Sequence, residues 1–174
     1  MPEHFQTIVF MVRHGQTDNP YSQNVAIDAE RQLTKLGREQ SRQVGRFLDQ
    51  FSPTEIYSSP LDRCLDTAKI IQGEIEPELP LAVSNVLVEV SSLAPRVKKE
   101  AGERGKTIFS TILRAHKGEQ VVAVTHQFII GYIVAELFGK TESEIPCDNA
   151  DIYRLVFADE TLIEATRLQP AKAQ

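Results

Sequence analysis

The chain has 174 residues, 41% of them hydrophobic, and a net charge of −5. That length suits one α/β domain with a sizeable core and is too short for two. The acidic balance and the lack of tryptophan exclude a general nucleic-acid binder, which needs a basic stripe backed by aromatics. No apolar run is long enough to span a bilayer, and Met1-Pro2-Glu3-His4 lacks the regions of a signal peptide, so a cytoplasmic location with no membrane partner is expected.

In chain order, the apolar run Thr7 to Val12 reads as a buried strand over 6–12. It stops abruptly at Arg13-His14-Gly15, the pattern of the carboxyl edge of an α/β sheet, where ligands bind. A nucleophile and a cation at that edge suit phosphate chemistry. A helix over 34–51 carries Val44, Phe47, Leu48 and Phe51 on one face. A strand over 54–58 leads into a helix over 60–73 with Arg63 in its first turn. Ser59 is the expected N-cap, with Pro60 at the first helical position and Asp62 completing a capping-box-like pattern.

A strand over 82–90 leaves one carboxyl, Glu89, within an apolar stretch. The helix over 95–116 aligns Ala101, Ile108, Phe109 and Ile112. Its charges (Arg96, Lys98, Lys99, Arg104 and Lys106, with Glu100 and Glu103) read as a solvated face or as a basic rim for an anionic substrate. The strand over 120–125 ends on His126, ahead of a helix over 127–138 that Gly139 terminates. Runs 151–157 and 161–168 are spaced as a hairpin.

The alternation predicts a three-layer α/β/α sandwich with a mostly parallel sheet and an antiparallel edge strand. It forms a single domain over 1–168, with 169–174 a flexible tail. Cys64 and Cys147 are too few and too far apart for a disulfide framework or a metal site. Cys64 is expected to pack in its helix and Cys147 to lie in a loop. His4 belongs to a frayed terminus, and His116 to a helix end where a cation complements the dipole.

Taken together, Arg13-His14-Gly15, the stretch Leu33-Thr34-Lys35-Leu36-Gly37-Arg38-Glu39-Gln40, the run Ser58-Ser59-Pro60-Leu61-Asp62-Arg63 followed by Thr67-Ala68, and Val124-Thr125-His126 resemble the histidine phosphatase superfamily, the phosphoglycerate-mutase-like fold. The resemblance covers roughly Ile8 to Phe157. It implies His14 as the phosphorylated nucleophile, Arg13, Arg63 and His126 as the phosphate pocket, and Glu89 as the proton donor.

The residue types agree with those roles on chemical grounds. A phosphate monoester carries about −1.5 to −2 charge, so a neutral imidazole is a better nucleophile than an anion. Its other nitrogen should be held by a backbone carbonyl. Guanidiniums offer planar, paired donors to phosphoryl oxygens. His126 adds a donor where charge spreads in the transition state. With three cationic donors the pocket needs no metal or other cofactor. Glu89 needs a raised pKa to act as acid and then base, although a glutamate in a strand can equally face solvent.

Three departures from the family pattern stand out. Gln127 follows the second histidine where the family usually has glycine, so its side chain intrudes on the pocket or adds an amide to it. Pro20 occupies the spacing of a phosphoryl-binding asparagine, which makes Asn19 the candidate. The glycine- and tryptophan-containing motif after the acid is replaced by Val90-Ser91-Ser92-Leu93-Ala94-Pro95.

The chain is too compact for the insertion that retains a mutase's bisphosphorylated intermediate. The expected function is therefore metal-independent phosphomonoester hydrolysis through a phosphohistidine on His14, acting on a phosphorylated small molecule. The alternative is a phosphohistidine phosphatase acting on a phosphorylated protein side chain; a mutase or a catalytically silent phosphate-binding regulatory module is a less favoured reading.

Overall fold

The computed structural model describes residues 5–172. His4, Ala173 and Gln174 lie outside that range. The chain order is β1 (Gln6–Arg13), α1 (Val25–Ala29), α2 (Lys35–Asp49), β2 (Glu55–Ser58), α3 (Asp62–Ile75), β3 (Leu81–Val83), α4 (Pro95–Ala115), β4 (Gln120–Thr125), α5 (Gln127–Phe138), β5 (Ile152–Ala158) and β6 (Thr161–Leu168).

The continuous apolar runs of β1 and β4 exist because both faces of these strands are covered. Val9, Met11, Val121 and Ala123 pack under α4 and α5. Their neighbours Phe10, Val12, Val122 and Val124 point the other way, against α2 and α3. The result is the expected α/β/α sandwich, with a sheet ordered β3-β2-β4-β1-β5-β6. Strands β1 to β4 pair in parallel, while β5 and β6 form the antiparallel edge. Arg13 is level with Thr125 in the β1–β4 register, so the next residues, His14 and His126, leave the sheet side by side.

Three local expectations are corrected. The strand foreseen over 82–90 ends at Val83, because β2 offers it no partner beyond Ser58. A 3-10 turn, Asn85–Leu87, follows instead, tied down where Thr125 Oγ1 donates to the Leu87 carbonyl at 2.7 Å. Glu89 therefore lies on an irregular segment. Helix α3 starts at Asp62 with Leu61 as its N-cap and no side-chain cap; the Ser59 hydroxyl is drawn to His126 at 2.8 Å.

Cys147 lies in a loop, as expected, and is buried there. Residues 170–172 form a 3-10 turn rather than a loose end, with Gln169 and Lys172 reaching back to Asp151 and Asp148. His116 closes α4, where its ring bridges the Tyr57 hydroxyl and Glu119, each at 2.8 Å. The mixed charges of α4 largely form ion pairs on its surface, with Arg96 on Glu100, Lys98 on Glu142 and Lys106 on Glu136.

Candidate active site

His14 is 2% exposed at the end of β1. Its Nδ1 lies 2.8 Å from the Gly15 carbonyl oxygen, which only accepts, so Nδ1 carries the proton and Nε2 keeps its lone pair. Arg63 Nε donates to that nitrogen at 3.3 Å. Burial, with the nearby Arg63, Arg13 and Arg31, holds the His14 pKa well below 6.5, so the ring is neutral at pH 7.

The turn beneath His14 has no room for a side chain. A Cβ on Gly15 would sit 2.3 Å from the Gly37 oxygen, and one on Gly37 would sit 2.1 Å from the Gln16 oxygen. Thr34 caps α2 by accepting the Gly37 N–H at 3.0 Å, so the start of that helix seats directly on the turn that follows His14. Thr67 reaches the same place from α3, accepting the Gly15 N–H at 3.2 Å.

Arg63, in the first turn of α3, is 1% exposed. Its two terminal nitrogens donate to the Asp28 carbonyl and to Asp28 Oδ2, both at 2.7 Å. The other Asp28 oxygen holds Arg31 at 2.8 Å. Arg31, 4% exposed, also donates to the Asn19 carbonyl and to Thr17 Oγ1. Sequence reasoning missed Asp28 and Arg31. The available signal was Asn24, whose side chain caps α1 and places an acid and a base three apart at its end.

Arg13 donates to the Cys147 carbonyl at 2.7 Å, while its buried Nε has no hydrogen-bond partner. Such a donor is what a phosphoryl oxygen would satisfy. Burial lowers the Arg13 pKa from its ordinary value, yet a guanidinium stays charged. Three guanidiniums against one Asp28 carboxylate leave two net positive charges, matching a phosphate dianion.

His126, fully buried, stands 5.4 Å from His14 between ring centroids. Burial first, then His14 and the guanidiniums, hold its pKa well below 6.5. It is a neutral ring, not the cation that the sequence reading counted; Arg31 is the third cation. Cys64 Sγ packs 3.5 Å from His126 Nε2, and burial pushes its thiol pKa up, which leaves it an unreactive packing residue.

Glu89 is half-buried. Its carboxylate accepts the Val90 N–H at 3.0 Å and the Phe128 N–H in the first turn of α5. Burial outweighs these bonds and pushes its pKa up to about 7. Tyr21 closes over this corner, donating to the Val90 carbonyl at 3.2 Å and meeting the Phe128 ring edge-on. The structure thus brings His14, Arg13, Arg63 and His126 together at one sheet edge, with Glu89 on the wall beside α5. Asn19 is exposed and contributes its carbonyl to Arg31. Gln127 is half-buried at the start of α5, with no side-chain hydrogen bond among the described residues.

Comparison with known proteins adds an independent line. Residues 9–93 and 97–167 match the family model of the histidine phosphatase superfamily (branch 1). An uncharacterized phosphatase, PhoE of Bacillus subtilis, is 38% identical over 65 residues, 37% of this chain and only 34% of that relative's length. Phosphoglycerate mutase-like protein 4 of Arabidopsis thaliana is 27% identical over 190 residues, covering 90% of this chain and 83% of its own. The fold is shared with the protein histidine phosphatase SixA, solved with tungstate, at a TM-score of 0.73 and 20% identity over 96% of this chain and 99% of that one. The chain belongs to the histidine phosphatase superfamily, branch 1.

Proposed function

We propose that the chain hydrolyses phosphomonoesters without a metal, through a phosphohistidine on His14. The observation that carries this reading is the buried, neutral His14, with its proton fixed on Nδ1 and its Nε2 lone pair facing a pocket that holds three guanidiniums. Arg13 and Arg63 bind the phosphoryl oxygens, and Arg31 supports them through Asp28. Arg63 redirects its Nε–H hydrogen bond from His14 Nε2 to a substrate oxygen, keeping the proton, while Asp28 holds its other two nitrogens in place. His14 Nε2 then attacks phosphorus, and the ester P–O bond breaks in line.

Glu89, protonated below about pH 7, gives its proton to the departing alkoxide. As a carboxylate it then takes a proton from the attacking water, the P–N bond breaks, and His14 is restored. His126 donates to an equatorial oxygen as charge builds there. With two net positive charges supplied by side chains, no metal charge is needed to balance the substrate.

The test is hydrolysis of a generic aryl phosphate with a chelator present, comparing the wild type with His14→Ala. Turnover that survives the chelator and disappears in the variant is expected. Chelator-sensitive turnover, or turnover that persists in the variant, rules the reading out.

One observation favours a second substrate class. Only the stretch Ser84 to Ala94, with one 3-10 turn, joins β3 to α4, which favours a mouth open to a phosphorylated protein side chain as well as to a metabolite. A phosphorylated carrier protein consumed faster than a panel of small phosphomonoesters would establish this alternative.

A further inference from the structure

The loop between β1 and α1 is anchored at two places. One is the Asp28 clamp behind Arg63. The Ser22 N–H donates to Asp28 Oδ1 at 3.1 Å, the oxygen that also holds Arg31, and Arg31 in turn donates to Thr17 Oγ1 and to the Asn19 carbonyl. The other anchor is Tyr21, set between Asn19 and Ser22, which reaches the segment after Glu89. Its hydroxyl donates to the Val90 carbonyl at 3.2 Å, and its ring meets that of Phe128 edge-on with centroids 4.9 Å apart. Val90 and Phe128 are the two residues whose backbone N–H groups hold the Glu89 carboxylate. Glu89 itself lies on an irregular segment with no strand partner, so its carboxyl keeps a fixed direction only while those two amides keep theirs. Burial, then the charges of Glu89 and Asp28, raise the Tyr21 pKa, which puts the phenol within reach of both carboxylates.

We infer that Tyr21 is the positioning residue for Glu89, and that the strap Thr17 to Ser22 ties the acid to the Asp28 clamp behind Arg63. This deepens the phosphatase reading and rests on it. Arg63 orients the phosphoryl group and Glu89 must meet the leaving oxygen, so the strap sets the spacing between the two; a misplacement of about 1 Å between such groups can cost about 10²-fold in rate.

The test is a double-variant cycle in the intact chain, on an alkyl and on an activated aryl phosphate. Tyr21→Ala should slow alkyl phosphate hydrolysis on the order of tenfold. The aryl ester should lose much less, because its leaving group needs no acid. Combined with Glu89→Gln, Tyr21→Ala should cost nothing further on the alkyl ester, since the group it positions is already gone. Tyr21→Phe keeps the ring and should keep part of the alkyl rate. Equal losses on both esters, a loss that multiplies that of Glu89→Gln, or no loss on the alkyl ester overturns the inference. A second readout needs no turnover: carbon-13 NMR titration of the Glu89 carboxyl, assigned by its absence in Glu89→Gln. The charged groups that face Glu89 are Arg63 on α3, Asp28 on α1, Arg13 at the end of β1 and Arg104 on α4, and all are kept in Tyr21→Ala. The wild-type midpoint of about 7 should therefore fall toward 4.5 in that variant as water reaches the carboxyl, and an unmoved midpoint overturns the inference. A wild type that cleaves neither ester while the midpoint still falls in Tyr21→Ala sinks the phosphatase reading and not the hold of Tyr21 on Glu89.

Discussion

On the sheet-edge wall of the pocket, Arg63 is held by three hydrogen bonds, two to Asp28 and one to His14. By contrast, Glu89 rests on two backbone N–H groups, and Arg104 feels the charges of Glu89 and Glu100 without a close ion pair among the described residues. The first wall is oriented before any ligand arrives, as stabilisation of a phosphoryl group requires. The second is polar but loosely tied, which suits a surface that recognises a variable leaving group. Under the proposed function, this division would let one phosphate pocket serve different leaving groups. It also predicts that variants on the two walls fail in different ways.

The largest and most selective effect is expected at Glu89. Glu89→Gln should slow hydrolysis of alkyl phosphates by about 10²–10⁴-fold, the usual range for a lost general acid. Activated aryl phosphates leave without a proton and should lose little. Parallel losses on both would remove Glu89 from the mechanism and erase the contrast between the walls. Arg63→Ala should cost about 10²–10³ in kcat/KM, as removal of an oxyanion donor does, and equally on both substrate types. A substrate-selective loss there would break the comparison from the other side.

Asp28→Ala should appear in stability as well as rate. It leaves Arg63 and Arg31 buried without their carboxylate, and breaking a buried pair from one side costs about 3–5 kcal/mol. Denaturant unfolding measures this; a loss below about 1 kcal/mol would show that the network is not holding the wall. Gly37→Ala forces a Cβ onto the Gln16 backbone and should cost about 1–3 kcal/mol by overpacking, with lower activity because the turn below His14 must shift.

The smallest effect is a pH dependence. Glu89 has its pKa raised from 4.5 to about 7. Between those values the folded state binds more protons than the unfolded one, so this group lowers stability as pH rises through that window. Glu89→Gln should flatten the slope. The same titration predicts that alkyl phosphate turnover falls above about pH 7, while the low pKa of His14 keeps the nucleophile neutral through mildly acidic pH. A profile unchanged in Glu89→Gln would assign the upper limb to another group.

Residues of both walls were legible in the sequence, but not the backbone setting of Glu89 or the Asp28–Arg31 support behind Arg63. His14, Arg63 and His126 sit where apolar runs or a helix start make the local pattern unambiguous, and the β1–β4 register does the rest. Asp28 and Arg31 escaped because α1 has only five residues, too few for a hydrophobic period, and their role comes from contact with Arg63, 35 positions away for Asp28. The strand predicted around Glu89 failed because its length depends on a partner, β2, that ends at Ser58. Ser59 failed as a cap because His126, distant in sequence, competes for its hydroxyl. In each case a tertiary contact overrode a sound local preference.

The account stands or falls on covalent phosphorylation of His14. Rapid quenching of the wild type during turnover of an aryl phosphate, followed by mass spectrometry, should find an acid-labile, base-stable phosphoryl group on His14 and nowhere else. A phosphoryl group on another residue, or steady turnover with His14 unmodified at every quench time and in every Glu89→Gln sample, would contradict it.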